Sequence, residues 1–173
     1  MNGTVFAYAV VALMALQRLG ELVIARRNTA ALLARGAVET GAGHYPLIVA
    51  LHVLWLASVL LFLPHPTPVY WPSVVALLLL QALRMWVITT LGPYWTTRII
   101  TLPGAPLVRR GPYRFVRHPN YLVVALEIPI LPLAFGAWSL AFGFGLANIA
   151  LLAWRIMVED KALADRRRAI LAL

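Results

Sequence analysis

Residues 69–91 read VYWPSVVALLLLQALRMWVITTL. Arg84 is the one charge in this run, and its length matches the ~20 residues a helix needs to cross a ~30 Å hydrocarbon core. Four further stretches of the same kind occupy 4–25, 46–63, 120–135 and 138–158. The stretch 120–135 is the shortest and holds Pro129 and Pro132, which predicts a tilted or kinked helix. No basic residue precedes 4–25 and no small-residue cleavage pattern accompanies it, so it reads as a span rather than a signal peptide. The five stretches predict an all-α, polytopic membrane protein with about five transmembrane helices, organised as a single domain over 1–173.

Composition agrees with that reading. Of 173 residues, 62% are apolar and 12% charged, against about 45–50% and about 25% in soluble domains. An ordinary soluble globule, a disordered chain and a fibrous repeat are excluded. The absence of cysteine excludes a disulfide framework and a cysteine zinc site. His44, His52, His65 and His118 show no ligand-type spacing, so no metal is implied.

The 15 Lys and Arg residues, which give a net charge of +9, are distributed unevenly. Arg26, Arg27 and Arg35 follow the first span. Arg98, Arg109, Arg110, Arg114 and Arg117 lie between the third and fourth, and Lys161 with Arg166, Arg167 and Arg168 follows the fifth. The connections at 65–68 and 136–137 carry none. Positive-inside bias then predicts an outside N-terminus and a cytoplasmic C-terminus, with both long connections, 26–44 and 92–119, in the cytoplasm. The basic excess suits anionic lipid, and no basic–aromatic platform points to nucleic acid. Within the second connection, 98–102 and 107–110 flank Pro103 and Gly104, which predicts a short hairpin or paired extended segments.

Ionisable residues inside spans are costly and mark function by default. Arg18, His52, Arg84 and Glu127 fall at one depth, about 10 Å below the cytoplasmic surface at ~1.5 Å of rise per residue. Gln17, Glu21 and Gln81 lie near the same layer. Arg18 can pair with Glu21, Arg84 can snorkel, and Glu127 can neutralise either arginine. Four helices contributing to one level also predict a partly hydrated cavity open toward the cytoplasm, as in a small transporter or an enzyme.

Residues 111–121 read GPYRFVRHPNY, and 155–163 read RIMVEDKAL. The first segment offers cations, an imidazole, two phenols and a proline suited to a helix start. In the second, Arg155 and Glu159 share a helical face at i,i+4. Together the segments resemble the isoprenylcysteine carboxyl methyltransferase family of integral membrane methyltransferases. That family carries Arg-His-Pro-x-Tyr entering a helix and Arg-x-x-x-Glu-Glu-x-x-Leu after the next span. The resemblance covers 106–163. The wider chain, through Arg18–Glu21, Arg26-Arg27-Asn28, His44-Tyr45, the run from Trp95 to Ile100 and the run from Asn120-Tyr121 through Glu127, resembles the small bacterial branch associated with O-methylation of alkylpyrone and alkylresorcinol lipids.

The resemblance implies an S-adenosylmethionine pocket formed by Ala105, Pro106, Leu107, Val108, Tyr113, His118, Pro119, Asn120, Tyr121 and Glu159, with Arg155 on the substrate side. Asp160 replaces the family's second glutamate, and a cofactor-contacting glutamine of the family falls near Arg98. No Gly-x-Gly-x-x-Gly is present, which excludes a soluble Rossmann methyltransferase. The cofactor's charges suit these residues: Arg117 or His118 for its carboxylate, Glu159 for its ammonium or ribose, Tyr113 or Tyr121 for its ring. An unperturbed phenol has a pKa of about 10, so a phenol or enol acceptor benefits from a base. The candidates are Glu127, His52 and His44, with Arg155 stabilising the oxyanion. The resulting expectation is methyl transfer to an oxygen of a lipophilic substrate entering from the bilayer. Prenylcysteine carboxyl methylation, phospholipid N-methylation and a small transporter or accessory protein are the alternatives.

Overall fold

A computed structural model describes residues 2–105 and 107–164. Pro106 and the basic run 166–168 lie outside the described residues. Five helices appear: α1 (Gly3–Leu33), α2 (Tyr45–Leu61), α3 (Trp71–Leu91), α4 (Pro119–Ala134) and α5 (Trp138–Ala162). Prolines stand in the first turns of α2, α3 and α4, where the missing N–H has no helical partner to lose. Asn2 caps α1 by accepting the Thr4 N–H at 3.1 Å.

Four stretches, Gly3–Leu33, Ala42–Leu61, Trp71–Tyr94 and Trp138–Ala162, are long and apolar enough to cross a bilayer. α4 is apolar but has 16 residues, a rise of ~24 Å. Pro129 and Pro132 stand inside it. α4 packs against α3 and α5, and α2 against α5 and α1. One core runs between them, with Val11, Trp55, Val59, Leu77, Ile128 and Leu131 at its centre. The outward faces are apolar as well: Leu13, Leu16 and Leu19 on α1, Leu78 and Leu79 on α3, and Phe142, Leu146 and Ile149 on α5 are exposed. Helices with an apolar core and an apolar outer surface suit hydrocarbon as solvent. The protein is an integral membrane protein of helical architecture.

Two details differ from the expectation. The connection after the first span begins later, because α1 continues through Arg26 and Arg27 to Leu33. Nothing in residues 26–33 breaks a helix, and the helix stops only at Gly36, whose φ of 84° ends it. There the Ala37 and Gly36 N–H groups donate back to the Leu32 and Leu33 carbonyls at 3.1 and 3.0 Å, the Schellman arrangement. This extension docks on the far end of α3: Asn28 Nδ2 donates to the carbonyls of Gly92 (3.1 Å) and Trp95 (2.8 Å).

The second difference is the extended structure. β2 (Ile99–Thr101) does not fold back on 107–110. It pairs antiparallel with β1 (Val38–Thr40), with Glu39 opposite Ile100. The two long connections are therefore joined to each other.

The intramembrane polar layer is a closed ion network. Arg84 grips Glu21 side-on, Nε to Oε1 and Nη2 to Oε2, both at 2.6 Å. Arg18 donates to Glu21 Oε2 at 2.7 Å and to Glu127 Oε1 at 2.6 Å. Arg84 Nη1 reaches Glu127 Oε2 at 3.4 Å, Gln17 donates to Glu21 at 3.0 Å, and Gln81 donates to Glu127. Arg84 is 5% and Glu127 2% exposed, so Arg84 does not snorkel. Two arginines and two glutamates from α1, α3 and α4 neutralise one another. His52 stands apart, bonded to the Ile48 carbonyl at 2.8 Å and edge-on to Trp55.

Candidate functional site

Where α4 begins and α5 ends, residues from 95–105 and 107–109 join them in lining a cavity of about 400 Å³, within the usual range of about 300–1,000 Å³ for small-molecule sites. Pro119 starts α4, so Asn120 and Tyr121 occupy its first turn and line the cavity. On α5 the i,i+4 spacing brings Arg155 and Glu159 to the same wall.

Tyr121 joins these two. Its hydroxyl accepts from Arg155 Nε at 2.7 Å and donates to Glu159. The other arm of Arg155, Nη2, donates to the Thr97 carbonyl at 2.7 Å. Arg155 is 6% exposed. Among the described residues no carboxylate pairs with it directly, and Tyr121 links it to Glu159. His118 stacks on Tyr121 with centroids 5.3 Å apart. Its Nε2 meets Asp160 at 3.1 Å, and its Nδ1 lies 3.9 Å from Glu159. The acid that replaces the family's second glutamate therefore orients the histidine. Burial, with the Glu159 carboxylate nearby, pushes the Tyr113 phenol well above its ordinary pKa, so Tyr113 stays a neutral donor.

Among the described residues, two buried polar atoms on lining residues have no hydrogen-bond partner: the Trp95 Nε1 donor and the Asn120 Oδ1 acceptor. An unpaired buried polar atom is costly, and a ligand carrying both donors and acceptors would satisfy both. An amino-acid nucleoside such as S-adenosylmethionine has that character, and Glu159 adds an anion for its ammonium.

The structure brings Ala105, Leu107, Val108, Tyr113, Arg117, His118, Asn120, Tyr121, Arg155 and Glu159 to this one cavity. Pro119 is buried in the protein and does not line it; its part is to start α4. The three candidate bases are elsewhere. Glu127 is held in the ion network, His52 is on α2, and His44 packs its ring 5.6 Å from Trp154. Sequence reasoning missed Leu32, which the extension of α1 carries to the cavity wall. It also missed the backbone carbonyl of Thr97, an acceptor that no side-chain pattern announces.

Residues 73–165 match the isoprenylcysteine carboxyl methyltransferase family. The chain belongs to that family. Isoprenylcysteine carboxyl methyltransferase family members are membrane methyltransferases, and S-adenosylmethionine is their general methyl donor. Across 163 residues the chain is 39% identical to a Bacillus subtilis (strain 168) protein described as "Uncharacterized protein YpbQ", covering 91% of this chain and 96% of that one. No solved structure matches. The family region begins at residue 73, yet the cavity takes Leu32 from before it.

Proposed function

We propose that this protein is an S-adenosylmethionine-dependent methyltransferase that methylates an oxygen of a lipophilic, acidic substrate arriving from the bilayer. The observation that carries the reading is Arg155, a buried guanidinium facing the cavity that no carboxylate pairs with directly among the described residues. A cation in that setting favours the ionised form of an acceptor oxygen and repels an ammonium. It suits an acceptor that reacts as an oxygen anion.

The methyl donor supplies an electrophilic methyl group on sulfur. The chain's own residues have four tasks. Glu159 and Asn120 accept hydrogen bonds from the donor's ammonium, hydroxyls or amine. Trp95 and Tyr113 donate. Tyr121 holds Arg155 and Glu159 at fixed separation. Arg155 holds the acceptor oxygen as an anion, and such positioning is the main demand of a direct displacement. Because none of Glu127, His52 and His44 lines the cavity, an acceptor that ionises readily near neutral pH suits the site better than a simple phenol. Among the lipids suggested by sequence resemblance, the enolic alkylpyrones fit that requirement, as does a prenylcysteine carboxylate.

The basic ends of the helices lie on the cytoplasmic side of a bacterial inner membrane in this reading, because the basic connections border the cavity. The test is saturable binding of labelled S-adenosylmethionine to detergent-purified protein, followed by transfer to a 4-hydroxy-6-alkyl-2-pyrone, an alkylresorcinol, a prenylcysteine and phosphatidylethanolamine. Glu159→Gln, Tyr121→Phe and His118→Ala should each weaken donor binding by about 5–50-fold, the scale of one lost charged or buried hydrogen bond. Absence of saturable binding in the unaltered protein would remove the methyltransferase reading and favour a transporter. Transfer to phosphatidylethanolamine alone would remove the acidic-oxygen reading.

A further inference from the structure

We propose that residues 38–45, which precede the family region, form a strap that positions Arg155 through Thr97; Glu39 and Tyr45 are its working residues. The proposal rests on the methyltransferase reading only for its activity measurement.

Arg155 has two grips. One is the Tyr121 hydroxyl, on a helix. The other is the Thr97 carbonyl at 2.7 Å, on a segment that is neither helix nor strand at that residue. The second grip is only as fixed as residue 97, and the strap is what fixes it. Tyr45 Oη lies 3.1 Å from Thr97 Oγ1. The next residue, Arg98, places its guanidinium 4.7 Å from the centre of the Tyr45 ring and its Nη1 3.0 Å from both Glu39 carboxylate oxygens. Immediately beyond, Ile99–Thr101 pairs with Val38–Thr40. Thr97 is thereby held beside a strand pairing, an ion pair and a hydrogen bond, all supplied by the other connection.

The strap is also seated on α5. Gly41 has a φ of 68°, and a Cβ there would stand 2.7 Å from Val158 and 2.6 Å from the His44 ring. Val158 is one turn beyond Arg155. The same few residues thus touch both Thr97, whose carbonyl holds Arg155, and the helix that carries Arg155.

The sequence resemblance puts a cofactor-contacting glutamine of the family near Arg98. The engagement of Arg98 with Glu39 and Tyr45 gives it a different part here, joining the strap to the cavity wall. Because Arg98 and Glu39 are partly exposed, their pairing contributes little to folding, and variants should be obtained folded.

The experiment uses the full chain in liposomes, with S-adenosylmethionine and a 4-hydroxy-6-alkyl-2-pyrone as probes. Glu39→Gln and Tyr45→Phe should each lower kcat by about 3–30-fold, since ångström-scale misplacement of a positioning group costs up to about 100-fold. The KM for the donor should stay within about twofold, because the donor-facing residues are untouched. The charge-exchanged Glu39→Arg, Arg98→Glu pair should recover most of the kcat lost by Glu39→Arg alone. Unchanged kcat in both single variants, or no recovery in the exchanged pair, would overturn the strap. If the unaltered protein methylates no probe, the methyltransferase reading is what fails, and amide hydrogen exchange then decides the strap. Exchange across 97–101 must quicken in Glu39→Gln and Tyr45→Phe, and unchanged exchange there would overturn it.

Discussion

At the scale of single residues, the cavity's unsatisfied atoms are the most informative. Asn120 Oδ1 is buried without a partner, so the free protein gains nothing from it, and removing such an atom relieves a cost of about 1–3 kcal/mol rather than adding one. Asn120→Ala is therefore expected to leave the thermal unfolding temperature in detergent unchanged or raised. The same change should weaken S-adenosylmethionine binding by about 5–30-fold, one hydrogen bond's worth. A fall in stability with unaltered affinity would show that Asn120 serves the fold. Tyr121 differs in kind, because it is already bonded on both sides. The i,i+4 relation of Arg155 and Glu159 was readable in the sequence, as was the proline that starts α4. The bond from Tyr121 to each of them was not, because two helices can share a depth at any rotation about their axes.

At the scale of elements, the ion network joins three helices that would otherwise meet only through apolar contacts. Taking away one partner of a buried pair costs about 3–5 kcal/mol, since the other charge is left uncompensated. Glu127→Gln leaves Arg18 and Arg84 with Glu21 as their remaining carboxylate and is expected to destabilise the protein on that scale, read as unfolding temperature in detergent. Adding Arg18→Gln should recover part of the loss. A fully stable Glu127→Gln whose turnover falls by about 10²–10⁴ would instead mark it as a general base. Helix positions were legible because a bilayer demands unbroken apolar length, and the expected spans lie within all five helices to a residue or two. The eight residues by which α1 outruns its span were not, because Arg26 and Arg27 end the apolar run without ending the helix. The β1–β2 pairing joins three-residue strands about 60 positions apart in sequence, too short for periodicity to register. Pro103 and Gly104 pointed to a local hairpin, but the distant partner won.

At the scale of the whole molecule, charge and topology are linked. Among the described residues the connections 34–44 and 92–118 leave the same ends of the helices, and Arg35, Arg98, Arg109, Arg110, Arg114 and Arg117 lie on them. The 173 residues contain no cysteine, so single introduced cysteines report sidedness directly. His65→Cys should react with an impermeant maleimide from outside intact cells and Arg35→Cys only after lysis. The reverse pattern would place the cavity outside. The ion network has a further consequence, for biosynthesis. Arg18 and Glu21 pair at 2.7 Å within one helix, so the first span carries its own countercharge as it leaves the ribosome. Arg84 has no acid on its own helix, and an arginine at the centre of an inserting helix costs about 2.5–3.5 kcal/mol. Glu127 is made 43 residues later, whereas Glu21 is already in the membrane. The first helix thus provides the third with its earliest partner, and a chain whose α1 arrived late would have to insert Arg84 unpaired.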